Sequence, residues 1–360
     1  MSKISFGTWA VAFDQEGYLW FSDFNYGGLY KYDLEDRNIY LEHFFENGTL
    51  IGEALHSGMV IRDNKIYLVP LNDSAIRIYD IKTKKESKII LPNTKKKYIV
   101  KNDDFWIISE EKSYKFDYTS EILIEDEFLT DLIRKIKGDE DLKIGINVSD
   151  TIVIWNSNKI YNINYEMKKY EEISIEGIYD SISNIFFIKQ KYWILLENSH
   201  NIIVRNANTD SYETYKSNNQ EFVDGKDSIP YSGIYNFGEK LVLLNYYGKH
   251  FMEIDELSKT VKILSDLNVE FEINDYINYG ACYYRLLNYN GFYYFIPQRS
   301  KYILKSDANL KLMEKYEFET DLDENCMNKI LYYEVLKEGK YDISLNNYLE
   351  YLKGSCRSGL

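Results

Sequence analysis

Hydrophobic and polar positions in this chain follow a pattern of short segments that begins near the N-terminus. The first segment runs from Asp14 to Asp33 and opens with a turn at Gly17. An apolar run at residues 18–21 follows the turn, and an alternating run occupies residues 29–32. The apolar run predicts a strand buried on both faces, and the alternating run predicts a half-buried strand.

Equivalent turns recur along the chain, and nearly all carry the Gly, Asn or Asp that tight hairpins favour. The turn positions are Gly17, Asn64, Asp103, Asp150, Gln190, Gly238 and Asn290. They lie 47, 39, 47, 40, 48 and 52 residues apart. A further apolar run precedes each turn, and a polar run follows the alternating one. Each repeat therefore predicts four strands.

Four-stranded repeats that cannot bury their apolar faces alone predict an all-β, seven-bladed β-propeller over residues 1–319. Six or eight blades also fit the spacing. A β-sandwich would not keep one period, and a parallel β-helix would have a shorter one. Residues 127–137 have helical spacing and predict a short inserted helix. Residues 320–360 predict amphipathic helices packed on or near the propeller.

The first repeat resembles the repeat of the propeller sensor domains of two-component regulators. The resemblance lies in Asp14, Gly17, Leu19, Trp20, Phe21, Gly27, Gly28, Leu29, Tyr32 and Asp33. The glycine pair followed by Tyr32 and Asp33 is also similar to a kelch repeat, and the other repeats lack that pair. The resemblance implies a propeller fold and says little about activity.

Composition and charge narrow the classes of partner and the compartment. The net charge of −14 over 360 residues repels phosphate backbones, so nucleic acid is not an expected partner. No apolar stretch approaches the length of a membrane span, and no membrane association is predicted. The three cysteines, Cys282, Cys326 and Cys356, are far apart and lack paired spacing. They predict free thiols and a cytoplasmic location.

Polar and aromatic side chains in the loops at one mouth of the propeller channel are the predicted ligand-binding groups, because loops on a rigid scaffold commonly bind ligands. These residues are Tyr26, Asn72, Asp73, Asn156, His200, Tyr246, Tyr247 and Arg299. Acid–base chemistry would need carboxylates and histidines in the same loops. The candidates are Glu53, His56, Glu197, His200 and His250.

No motif identifies an activity. No two histidines have metal-ligand spacing, and neither a nucleophile elbow nor a phosphate loop is present, so no metal and no cofactor are predicted. The sequence predicts a noncatalytic recognition or scaffold protein that binds a protein segment or glycan at the propeller mouth. The alternative is a carbohydrate-active or lyase-type enzyme that uses acidic and histidine residues there. The oligomeric state is not indicated.

Overall fold

A computed structural model describes most of the chain up to residue 321. The described residues are 3–23, 28–45, 55–91, 96–101, 104–109, 112–136, 142–145, 151–175, 181–197, 199–217, 231–246, 250–264, 267, 283–298 and 300–321. The elements they form are β1 (Lys3–Ser5), β2 (Thr8–Phe13), β3 (Leu19–Asp23), β4 (Gly28–Asp33), β5 (Asn38–Phe44), β6 (His56–Arg62), β7 (Lys65–Pro70), β8 (Ala75–Asp80), β9 (Lys85–Ile90), β10 (Lys96–Lys101), β11 (Asp104–Ser109), β12 (Ser113–Asp117), β13 (Ile122–Glu125), α1 (Glu127–Ile136), β14 (Lys143–Ile144), β15 (Ile152–Trp155), β16 (Lys159–Asn164), β17 (Lys169–Ser174), β18 (Ile182–Ile188), β19 (Lys191–Leu196), β20 (Ile202–Asn206), β21 (Tyr212–Ser217), β22 (Tyr231–Phe237), β23 (Lys240–Asn245), β24 (Met252–Asp255), β25 (Thr260–Ile263), β26 (Tyr283–Tyr289), β27 (Phe292–Pro297), β28 (Tyr302–Ser306), β29 (Leu312–Glu317) and β30 (Glu319–Asp321).

Consecutive strands form antiparallel sheets arranged as a β-propeller, which confirms the predicted all-β class. Within the described residues, five four-stranded sheets are separate: β2–β5, β6–β9, β10–β13, β14–β17 and β26–β29. The first strand of each sheet is innermost, and β2 contacts both β6 and β26. The prediction of seven separate blades is not met, because strands β18 to β25 form a single eight-stranded sheet.

The eight-stranded sheet arises where the outer strands β21 and β25 pair in parallel. The pairing covers two residue pairs, Lys216 with Thr260 and Ser217 with Val261. On either side of it, β18–β21 and β22–β25 each keep the antiparallel order of the separate sheets. Pairing between outer strands cannot be read from the repeat pattern, because both strands alternate like any other edge strand.

The described turns and the buried second strands follow the predicted pattern, whereas the predicted turn positions Asp103 and Asp150 lie outside the described residues. Asn64, Gln190, Gly238 and Asn290 all have positive φ, the conformation that a two-residue hairpin requires. All five residues of β3 are buried. Trp20 of this strand packs against residues of the next sheet in a shared core cluster, so the core lies between neighbouring sheets. Stacking therefore buries faces that a lone sheet would expose.

The ring of sheets is closed by the two chain segments that flank it. Strand β1 pairs antiparallel with β30, and the Phe6 backbone N–H donates to the Phe318 carbonyl at 3.2 Å. Both rings are fully buried and their centroids lie 5.7 Å apart. The Tyr32 hydroxyl donates to the Glu317 carbonyl at 2.7 Å. These contacts join the first sheet to the last.

Helix α1 lies in the segment where the sequence pattern predicts a helix. Its first turn is capped by Asp126, whose carboxylate accepts from the Leu129 backbone N–H at 3.0 Å. Leu129, Leu132 and Ile133 are buried against the sheets that flank it. The helices predicted within 320–360 lie outside the described residues. In the part of the chain that is described, no helix is long and apolar enough to cross a membrane.

Candidate functional site

Five of the innermost strands have a β-bulge near their start. The pairing register shifts at the second residue of β2, β6, β18, β22 and β26. The bulged residues are Trp9, Ser57, Ser183, Ser232 and Tyr284. A bulge releases backbone groups from the ladder and redirects a side chain, and bulges are frequent beside functional sites. These strands line the propeller axis, and the carbonyls of three bulged residues, Trp9, Ser57 and Tyr284, accept side-chain hydrogen bonds from other innermost strands.

Arg285 of β26 uses two of those carbonyls. Its Nε donates to the Trp9 carbonyl at 3.2 Å, and its Nη2 donates to the Ser57 carbonyl at 2.9 Å. The guanidinium therefore spans the innermost strands of three consecutive sheets, β26, β2 and β6. Arg285 is half-buried, so its charge is partly removed from water while its position is fixed by the backbone.

The charge of Arg285 has no acidic partner among the described residues. The other described arginines each lie within 4 Å of a carboxylate: Arg37, Arg62, Arg77, Arg134 and Arg205. Backbone carbonyls satisfy hydrogen-bond donors but leave the net charge in place. A partly buried cation of this kind favours an anion nearby.

Aromatic side chains lie beside the guanidinium. The Trp9 and Tyr284 rings lie 5.7 Å apart at 35°, and the Arg285 Cζ lies 5.4 Å from the Tyr284 centroid. The Tyr235 hydroxyl donates to the Tyr284 carbonyl at 3.2 Å. Burial raises the pKa of Tyr235 to about 12 although the Arg285 charge acts in the opposite direction, and burial raises the pKa of Tyr284 too. Both phenols are therefore neutral at physiological pH. We call Trp9, Ser57, Tyr235, Tyr284 and Arg285 the channel site.

A second polar cluster crosses the interface between the first two blade sheets, β2–β5 and β6–β9. His56 Nδ1 lies 2.8 Å from the Ser22 hydroxyl oxygen, and His56 Nε2 lies 3.6 Å from Asp73 Oδ2. Asp73 accepts a hydrogen bond from Arg77 Nε. Arg77 Nη1 also donates to Glu86 Oε1 at 2.5 Å.

The cluster ends at His43 of the first blade sheet, whose Nε2 lies 2.8 Å from Glu86 Oε2. Burial opposes ionisation of Asp73, but His56 and Arg77 outweigh it and lower the pKa of Asp73 to about 2. His43 and Arg77 likewise hold the pKa of Glu86 below its usual value against the effect of burial. Both carboxylates are therefore ionised and paired. We call Ser22, His43, His56, Asp73, Arg77 and Glu86 the interblade network.

The interblade network contains the Ser–His–Asp order of an acyl-transfer site, but substrate access is blocked. Ser22 is 4% exposed, His56 2% and Asp73 8%. Burial lowers the pKa of His56 despite the nearby Asp73 carboxylate. A neutral histidine enclosed in this way holds the two sheets together, and its chemistry has no contact with solvent.

The remaining predicted site residues are distributed over several blades. Glu197, after β19, pairs with Lys143 of β14 at 3.2 Å, and Lys143 also donates to the Ile182 carbonyl at 2.7 Å. The His200 carbonyl accepts from the Tyr231 hydroxyl at 3.1 Å.

Several other predicted residues have local structural contacts. The His250 carbonyl accepts from Asn245 Nδ2 at 2.9 Å. The Asn156 side chain accepts from two backbone N–H groups of its own turn. The Asn72 backbone N–H donates to the Leu55 carbonyl at 3.3 Å. Tyr246 follows β23 and is half-buried.

Four predicted site residues, Tyr26, Glu53, Tyr247 and Arg299, lie outside the described residues. Among the residues that are described, no three His, Cys, Asp or Glu side chains are grouped as metal ligands would be.

The channel site was not among the residues predicted from sequence. The prediction concerned the loops, whereas Trp9, Ser57, Tyr284 and Arg285 belong to innermost strands. An arginine inside an otherwise apolar strand run, as in Tyr-Tyr-Arg-Leu-Leu at 283–287, was the available signal. Charged residues inside buried runs are uncommon unless they are paired or functional.

Comparison with known proteins identifies the fold class. No family model and no curated protein matches the chain. Among solved structures, the extracellular domain assigned to a hybrid two-component system from B. thetaiotaomicron matches with a TM-score of 0.53 and 15% identity, over 84% of this chain and 38% of that one. A second such domain from B. thetaiotaomicron matches with a TM-score of 0.51 and 12% identity, over 82% of this chain and 39% of that one.

An enzyme has the same fold. Virginiamycin B lyase from Staphylococcus aureus matches with a TM-score of 0.51 and 10% identity, over 83% of this chain and 96% of that one. The chain is thus a β-propeller that resembles two-component sensor propellers, and it spans under two fifths of the length of those sensor chains. At these identities the likeness shows the fold alone.

The comparison overturns the predicted cytoplasmic location, which is wrong. The matching sensor propellers are extracellular domains. The prediction depended on Cys282, Cys326 and Cys356, which lie outside the described residues. Unpaired cysteines are a weak indicator of compartment, because a chain with a core of this size needs no disulfide to fold.

Proposed function

We propose that this chain is a noncatalytic recognition propeller that binds its ligand at the mouth of the central channel. The observation that carries the proposal is the channel site: a half-buried guanidinium without an acidic partner among the described residues, beside the half-buried rings of Trp9 and Tyr284. Pockets that bind ligands commonly combine aromatic walls with a few fixed polar groups.

The wall around the channel site supports recognition because it is preorganised. Besides the Tyr235 contact to β26, the Ser232 hydroxyl lies 3.3 Å from the Tyr283 carbonyl, again from β22 to β26. Arg285 adds hydrogen bonds from β26 to the next two innermost strands, β2 and β6. A ligand that enters such a wall loses less free energy in ordering the protein.

The ligand we propose is a protein segment or a glycan, as the sequence predicts. Two described loop residues predicted for contact, Asn156 and Tyr246, would extend the channel site at its rim. We also propose an extracellular or periplasmic location, supported by the sensor domains that share the fold.

We infer that the eight-stranded sheet consists of two blades, which gives seven in all. Strands β18–β21 and β22–β25 each have the four-strand antiparallel order, and each begins with the same bulged innermost strand. The two-residue parallel pairing of β21 with β25 is a contact between neighbouring blades. An experimental structure with five or six independent blades would contradict this count.

The enzymatic alternative draws less support. Its candidate His56 is enclosed in the interblade network, and Glu197 is paired with Lys143. Similarity to a lyase concerns the fold alone.

Binding at the channel mouth can be tested with immobilised glycan and peptide arrays probed with the purified chain. Trp9→Leu and Tyr284→Leu should remove binding of any ligand that the unmodified chain captures. Tyr18→Leu is the matched control, because Tyr18 is a half-buried aromatic in a groove of about 560 Å³ that lies at the hairpin turns, away from the mouth. Binding that survives both channel variants, or no binding to either array, would contradict the proposal.

A further inference from the structure

We propose that the channel site binds a sugar acid through its single carboxylate, an inference that rests on the recognition function proposed above. The starting observation is the difference between Arg285 and the other described arginines. Those five have carboxylates within 4 Å, whereas Arg285 donates to two backbone carbonyls, lies against the Tyr284 ring, and has no carboxylate within 4 Å among the described residues. Its positive charge therefore remains to be neutralised by a ligand.

The hydrogen bonds of Arg285 define where that ligand must lie. A guanidinium has five N–H donors. In Arg285, one on Nε donates to the Trp9 carbonyl and one on Nη2 donates to the Ser57 carbonyl. The Nη1 group donates to no described atom. Nη1 and one hydrogen of Nη2 therefore remain for a ligand, and the edge of a guanidinium that carries Nη1 and Nη2 is one that a carboxylate can accept from as a bidentate partner.

The stoichiometry of charge favours a carboxylate over a phosphate. One guanidinium neutralises one negative charge, which a carboxylate carries, whereas a phosphate monoester carries up to two. No second cationic side chain is among the described contacts of Arg285. A dianion at this position would keep an uncompensated charge in a partly desolvated site.

The aromatic neighbours favour a sugar ring as the carrier of the carboxylate. Trp9 and Tyr284 are half-buried and lie side by side at 5.7 Å, next to the guanidinium. Such rings offer a flat apolar surface beside a polar group, which suits the apolar face of a pyranose. Tyr235 and Tyr284 are neutral phenols, so they do not repel an anion.

The overall charge of the chain limits the size of the acidic ligand. A net charge of −14 opposes the approach of a polyanion, with repulsion screened beyond about 8 Å at physiological salt. A ligand with one carboxylate meets the local positive charge and little of the global repulsion. The geometry therefore points to a uronic acid at the site and not to a long acidic polysaccharide.

Calorimetric titration of the full chain with D-galacturonate and D-glucuronate, each compared with its methyl ester, tests the inference. The ester keeps the sugar ring and removes only the charge. We expect the acids to bind about tenfold or more tightly than the esters, the range expected for a charge-assisted bidentate pair. Arg285→Met should reduce acid binding to the level of the ester, with Arg285→Lys intermediate because lysine lacks the fork.

Arg62→Met is the matched control, because Arg62 lines a groove with hairpin-turn residues and not the channel. It should leave binding of both acids unchanged. Retained ester binding by Arg285→Met would show that this variant is folded.

Equal binding of acid and ester, dependent on Trp9, would overturn the carboxylate assignment and leave the proposed recognition function standing. Binding of N-acetyl-alanine, which has one carboxylate and no sugar ring, without binding of either uronate would overturn the sugar assignment. No binding of any probe would overturn the inference, and the array experiment would then decide the recognition function separately.

Discussion

The interblade network and the channel site are both built on an arginine, and they treat its charge in opposite ways. Arg77 is 2% exposed and lies between two carboxylates, those of Asp73 and Glu86. Arg285 is half-buried, and its hydrogen bonds to described residues go to two backbone carbonyls. Arg77 can be buried because its charge is paired with carboxylates within the protein.

The comparison indicates different roles for the two arginines. A fully paired, enclosed cluster between two sheets stabilises the fold and has nothing left to offer a ligand. We propose that Arg285, a fixed guanidinium without an acidic partner among the described residues, contributes less to the fold and keeps its charge for a ligand. Each role predicts a different balance between stability and binding.

The largest effect should come from breaking the interblade network. Arg77→Met would leave Asp73 and Glu86 ionised in the interior without the guanidinium that lies between them, at a cost of roughly 3–5 kcal/mol in the free energy of unfolding. Urea denaturation followed by tryptophan fluorescence measures this cost. Arg62→Met, the same substitution at an arginine whose side chain is 54% exposed, should change the free energy by about 0.5 kcal/mol or less.

A double variant separates charge from packing. Combining Asp73→Asn with Arg77→Met removes one of the two carboxylates that lost the guanidinium. The double variant should recover part of the stability that Arg77→Met loses. An Arg77→Met variant as stable as the Arg62→Met variant would show that the network is not needed to hold the two sheets together.

An intermediate effect should appear in the pH dependence of stability. Burial keeps the pKa of His56 below 6.5, its usual value, so between the two values the unfolded chain binds a proton that the folded chain does not. Acidification through this window therefore favours unfolding, by at most about 1.4 kcal/mol per pH unit. His56→Gln should lose less stability than the unmodified chain between pH 7 and pH 5.

The pH range is chosen to exclude the other groups that face His56. Asp73, with a pKa of about 2, and Glu86, whose pKa is also lowered, add their losses at lower pH as their unfolded forms take up protons. Arg77 remains charged throughout. The other three histidines are present in both proteins and cancel in the difference. Identical slopes for the two proteins would mean that His56 is not kept neutral by burial.

Local sequence patterns determined most of the strands, and long-range contacts determined the candidate site. Positive φ at Asn64 and Gly238 and the buried runs after them follow from residue type and period. The bulges do not, because a one-residue shift leaves the alternation of each strand nearly unchanged. The partners of Arg285 are 276 and 228 residues distant in sequence, so only the closed ring brings them together.

Of the substitutions in the interblade network and the channel site, Arg285→Met should have the smallest effect on stability. The variant loses two hydrogen bonds, but the Trp9 and Ser57 carbonyls lie beside a half-exposed site that water can enter. The cost of desolvating a charge also disappears, so the free energy of unfolding should change by about 1 kcal/mol or less. The same urea titration measures it beside Arg77→Met. A loss of stability as large as that of Arg77→Met would show that Arg285 mainly holds β26, β2 and β6 together. It would remove the reason to assign its charge to a ligand.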